Sequence, residues 1–185
     1  MLNYTVVEAI VESIDLVTLD EVKDHLRVSK DIDLEDEIIQ VYIEAAVDSA
    51  SQYIGAPVNS STVVINAPCY SNKIVFPVRP VTAITSINYA NKEGVNTPLE
   101  AAEYKAVNYR HENKVILLNA FDTQPDNEEA ITITVQCGYT AETLPGSIRR
   151  AILLEIADMY TYREDRKEIT NKASEAALRP YRIYG

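Results

Sequence analysis

The chain has 185 residues, 46% hydrophobic and 24% charged, enough for one domain or a domain with a sizeable insertion, and too apolar to be disordered throughout. No apolar run approaches the roughly 20 residues that cross a bilayer, and Met1 to Ile14 carries Glu8 and Glu12 without a basic start, unlike a secretory signal. A net charge of −11 argues against free nucleic-acid binding, because such binders place Lys and Arg against phosphates.

The first element is announced by Val17-Thr18-Leu19-Asp20-Glu21-Val22. Thr18 is an N-cap, Glu21 completes a capping box, and Val17 staples onto Val22, opening a short helix that ends near Leu26 to Val28. A longer helix is predicted from Leu34 to Ile54, with Leu34, Ile38, Tyr42, Ala45, Ala46, Ser49, Tyr53 and Ile54 as its apolar stripe. Acidic residues in its first turn suit the helix dipole, and Gly55 followed by Pro57 ends it. From Thr62 to Tyr139 the period changes to two. The predicted strands are Val63–Ile65, Ile74–Phe76, Val81–Tyr89, Tyr104–Val107, Val115–Leu118 and Ile131–Cys137; the last alternates apolar and polar residues as an antiparallel strand with one wet face does. Pro77 and Pro80 mark a turn or edge, and residues 91–98 and 121–129 read as surface loops. Helix returns with Pro145 at its first position and Ile148, Ile152, Ile156, Met159 and Tyr160 as its buried stripe.

These elements predict an α+β fold in a single domain. A small helical bundle (two helices within 16–57 and one within 144–165) carries an antiparallel β insertion (62–140), and residues 166–185 form an extended C-terminal arm.

Charge is unevenly spread. Asp31, Asp33, Glu35, Asp36, Glu37, Glu44 and Asp48 occupy a stretch with no Lys or Arg between Asp31 and Tyr53, whereas from Arg166 onward five basic residues face two acidic ones. The two segments would attract each other in neighbouring copies, although a solvated charged face is the simpler reading. Subunit contacts are therefore expected at Asp33, Glu35, Asp36 and Glu37 on one side and Arg163 and Arg166 on the other.

Sequence motifs for chemistry are absent. Cys69 and Cys137 form no CxxC or Cys/His cluster and read as small buried hydrophobes; His25 and His111 have no partner motif; the acidic run lacks the glycine and closing glutamate of a calcium loop. Neither a metal nor a cofactor is expected. Twelve tyrosines without a tryptophan, several beside arginines near the C-terminus, suit protein interfaces.

In this order, Leu16 to Val28, the acid-rich start of the long helix, Pro80 to Tyr89, Val135 to Tyr139, Leu144 to Leu154, Tyr160 with Arg163-Glu164, and Leu178-Arg179-Pro180-Tyr181-Arg182 resemble the small head–tail connector proteins of long-tailed bacteriophages, also called head-completion or adaptor proteins. The likeness spans about residues 16–182; the 1–15 extension and Cys137 depart from it. It implies a non-enzymatic virion protein made in the host cytoplasm and placed at the head–tail junction. There it would form a ring of on the order of a dozen copies beneath the portal, extend the DNA channel without binding DNA specifically, and receive the next connector or tail-completion protein. Leu178, Arg179, Pro180, Tyr181 and Arg182 would dock the arm on the portal, so that deletion after Glu164 leaves a folded protein unable to attach. Rival readings are a cytosolic binding module for another protein and a small carboxylate-based hydrolase.

Overall fold

A computed structural model describes residues 5–11, 16–31, 33–68, 72–108, 113–119, 129–163 and 171–183. By internal contacts the chain divides into two compact units, one of strands and one of helices. The fold is α+β, with antiparallel sheets throughout.

Among the described residues the β unit contains eight strands: β1 (Thr5–Val11), β2 (Ser61–Ala67), β3 (Lys73–Val75), β4 (Val81–Ala90), β5 (Asn96–Pro98), β6 (Tyr104–Asn108), β7 (Asn113–Leu117) and β8 (Ile131–Cys137). They form a five-stranded sheet in the order β1-β2-β8-β4-β5 and a three-stranded sheet in the order β3-β7-β6. The register explains the core. Val63 faces Val135, Ile65 faces Ile133 and Ala67 faces Ile131 across β2 and β8, and all six are buried. Ile131, Ile133, Val135 and Cys137 are the inward residues that strand alternation predicts, while Thr132, Thr134 and Gln136 stay half-exposed.

Two strands depart from the sequence reading. The start of the chain forms β1, paired with β2, and its register shifts between Val6 and Glu8. A bulge adds a residue and breaks the alternation by which a strand is recognised. Within the predicted 91–98 loop, Asn91 Oδ1 accepts hydrogen bonds from the Glu93 and Val95 amides at 3.0 and 2.9 Å, and the chain then returns as β5. Gly94, at φ +77°, supplies the left-handed residue of this turn. Most of the predicted 121–129 loop lies outside the described residues.

The helical unit contains α1 (Leu19–Leu26), α2 (Asp36–Ile54), α3 (Gly146–Thr161) and α4 (Lys172–Leu178), the last followed by one turn of 3₁₀ helix at Arg179–Tyr181. Thr18 caps α1 by accepting the Glu21 amide at 3.2 Å, and Val17 and Val22 are both buried, as the staple predicts. Gly55 ends α2 at φ +81°. Pro145 is the residue before α3, one position earlier than predicted, and Met159 and Tyr160 are only half-buried.

The phase of α2 and the form of the C-terminus need correction. The buried residues of α2 are Ile39, Ile43, Ala46, Val47, Ala50 and Ile54. Of the predicted stripe only Ala46 and Ile54 are among them, and Leu34 and Ile38 face solvent. The helix carries apolar residues on more than one face, so periodicity alone does not fix which face is inward. At the C-terminus, α4 packs on α3 with Ser174 and Leu178 buried, in place of an extended arm. Seven residues, four of them Ala or Ser, are too short and too weakly apolar to declare a helix by period.

Candidate functional site

No motif directs attention to a catalytic centre, and those residues expected at interfaces that are described are carried by the helical unit. Asp33 and Glu37 are exposed. Asp36 instead holds Lys23 of α1, with Nζ 2.5 Å from Oδ1 and the lysine side chain 3% exposed. A lysine so buried needs an acidic partner to offset lost hydration.

Glu35 and Arg163, expected to reach neighbouring copies, meet each other within one chain. The Arg163 guanidinium donates to Glu35 Oε1 at 2.6 Å, the Tyr160 hydroxyl donates to Glu35 Oε2 at 2.5 Å, and the guanidinium lies 4.6 Å from the Tyr160 ring centre. The hydrogen bond from Tyr160, seconded by Arg163, holds the Glu35 carboxyl below the usual carboxylate range. The same carboxylate raises the Tyr160 hydroxyl and the Arg163 guanidinium. This latch joins the turn before α2 to the end of α3. Arg166 lies outside the described residues.

The C-terminal segment is held by several bonds. Asn171 caps α4 by accepting the amides of Ala173 and Ser174 at 3.1 and 3.0 Å, and its Nδ2 donates to Asp158 Oδ2 at 2.7 Å. Ser174 Oγ donates to Glu155 Oε1 at 2.7 Å. Leu178 is 1% exposed, the Tyr181 and Ser147 hydroxyls are 2.8 Å apart, and the Ile183 amide donates to the Ile54 carbonyl at 2.8 Å. Of the five residues expected to dock, Leu178 is thus committed to the core and Tyr181 is half-buried, whereas Arg179, Pro180 and Arg182 are exposed. Arg182 stands 5.3 Å above the Tyr53 ring.

Sequence reasoning missed the tie from Arg149 to Glu21 at 2.7 Å and to the Ala141 carbonyl at 2.7 Å. A separation of 128 residues leaves no local signal for the Arg149–Glu21 pair. Asn171 before a run of helix-forming residues was a readable cap signal for α4.

Among the described residues no group of three His, Cys, Asp or Glu side chains is placed to hold a metal, and no helix is long and apolar enough to cross a membrane. Cys137 is buried, which pushes its thiol up to about 11 and keeps it protonated. His25 is exposed near the end of α1; Cys69 and His111 lie outside the described residues.

No curated protein matches the sequence. The fold is similar to a chain in the neck of an empty gene transfer agent particle computed with C6 symmetry, with TM-score 0.75 and 20% identity over 100% of this chain and 97% of that one. It is also similar to a chain in the virion of a native gene transfer agent particle, with TM-score 0.74 and 20% identity over 98% and 96% of the two chains. A third likeness is to the neck of the native particle computed with C12 symmetry, with TM-score 0.70 and 20% identity over 100% and 96%. The sequence profile of phage gp6-like head–tail connector proteins matches residues 16–117, more than half of the chain. The chain belongs to that family of head–tail connector proteins.

Proposed function

We propose that this protein is a structural, non-enzymatic connector at the head–tail junction of a phage-like particle. Copies form a closed ring beneath the portal, the ring extends the DNA channel, and its far side receives the next connector or tail-completion protein. The observation that carries this reading is the family match from α1 through β7. Likeness over the whole chain to chains in two particle-neck structures, computed with six- and twelvefold symmetry, supports the ring form.

The details follow from the chain's own residues. The exposed Arg179, Pro180 and Arg182 meet the portal, while Leu178 and Tyr181 anchor that segment to the helical unit. Asp33 and Glu37 face the adjacent copy; Glu35, Asp36 and Arg163 shape that surface from within, and Arg166 belongs to the opposing side. An acidic channel wall lets DNA pass by like-charge repulsion; a channel lined mainly by Lys and Arg in the assembled ring would refute this last point.

Sedimentation of the purified chain with portal-bearing heads tests the reading. Co-sedimentation with heads, and tail joining only to heads that carry the protein, is the expected result. A chain that stays in the supernatant, with tails joining heads equally well without it, overturns the connector role.

A further inference from the structure

We propose that the solvent-facing side of α2 is the surface on which the adjacent copy of this chain packs. The proposal rests on the ring reading above and assigns its subunit contact.

Helix α2 is apolar on two opposite sides. At roughly 100° per residue, Ile39, Ile43 and Ala50 fall on one side and Ile38, Val41 and Ala45 on the other. The helical unit buries only the first; on the second, Ala45 lies at the edge of a cleft shared with Asp158, Met159 and Glu175 of α3 and α4. Leu34, in the turn before the helix, is 95% exposed, Val41 55% and Ile38 39%. Residues 34, 38, 41 and 45 follow the four-three-four spacing of a narrow helix-packing seam, not the scatter of single surface hydrophobics. A helix apolar on both sides belongs between two layers, and one is supplied by its own chain.

Charge identifies the second layer. From Asp36 to Ile54 the helix bears no cation, and the seam is flanked by the exposed Glu37, Glu44 and Asp48. On α3, α4 and the segment after them, the exposed charged side chains among the described residues are cations, whereas the acids Glu155, Asp158 and Glu175 are half-buried. With Arg163 engaged by Glu35 of its own chain and Arg179 and Arg182 assigned to the portal, Arg150 and Lys172 are the cations left to the adjacent copy. One copy therefore presents an acidic, apolar helix face and, on different helices, a basic surface. Such a pair is complementary between copies but not self-complementary, which generates a head-to-tail contact, the kind that closes into a ring where the rotation between successive copies permits.

Photo-cross-linking tests this. The full chain with Val41 replaced by p-benzoylphenylalanine is irradiated at high concentration in solution and on portal-bearing heads, and products are mapped by mass spectrometry. The expected product is a covalent dimer joined from position 41 to the α3–α4 region of a second copy. The variant Leu34→Glu/Val41→Glu should keep the wild-type melting temperature, since both residues are exposed, and lose at least about tenfold in self-association. Cross-links to portal or tail protein alone overturn the proposal but leave the connector reading in place. Absence of a self-cross-link in both settings overturns it too; failure of the unmodified chain to bind heads separately defeats the connector reading.

Discussion

At the scale of single residues, Leu178 separates a packing role from a docking role. It is 1% exposed, so Leu178→Ala should destabilise the protein by about 2–4 kcal/mol in denaturant unfolding. Exposed Arg179→Glu should change stability by no more than about 0.5 kcal/mol while weakening attachment to portal-bearing heads. Equal stability losses in the two variants would contradict this division. Glu35 gives a second test, through pH. Its carboxyl is held low in the folded protein by Tyr160 and then Arg163, so the latch contributes above the unfolded carboxylate value and is lost as pH falls through the folded one. Wild type should therefore melt above Glu35→Gln from neutrality down to about pH 5, with the gap closing as Glu35 protonates in stronger acid. A gap that persists at low pH would contradict the latch. Both Glu35 and Arg163 stood out in the sequence as interface charges, yet their mutual pairing spans 128 residues and depends on α2 and α3 lying together, which no local pattern encodes.

At the scale of elements, legibility follows how local the determining interaction is. Helix α1 could be read residue by residue because Thr18, Glu21 and the Val17–Val22 staple all lie within one turn of its start. Thr18→Ala should accordingly cost about 1 kcal/mol, read as a lower denaturation midpoint with unchanged slope; no change would mean that tertiary packing alone fixes the helix start. Strand β8 was legible because its alternation is unbroken, and β1 was not because its bulge breaks the alternation. The long helix was recognised but misphased, since Leu34, Ile38 and Ala45 offered a second stripe as plausible as Ile39, Ile43 and Ala50. That ambiguity has a physical source if both faces are buried in the assembled ring. Helix α4 depends on Asn171, on the part-buried Ser174–Glu155 hydrogen bond and on Leu178. These contacts also make deletion after Glu164 a poor test of docking, because it strips a packed helix from α3.

At the scale of the whole molecule, the informative quantity is where the net charge of −11 sits. The acids of α2 and the cations of α3 and α4 belong to one helical unit, and separation of sign on one subunit favours ordered head-to-tail association that weakens with salt. Raising salt from about 0.1 M to about 1 M, which shortens the screening length from roughly 10 Å to 3 Å, should lower self-association measured by light scattering; indifference to salt would leave the apolar seam as its sole source. Family membership and the neck-like fold reach this scale through the order of weak segments along the chain, and no single motif carries them. The measurement that tests the central claim most directly is electron cryo-microscopy of portal-bearing heads incubated with the purified full chain. The account predicts a closed ring of this protein at the portal vertex, coaxial with the DNA channel and with α2 at the subunit boundary. Heads without added density at the portal, or with isolated copies that never close a ring, would contradict it.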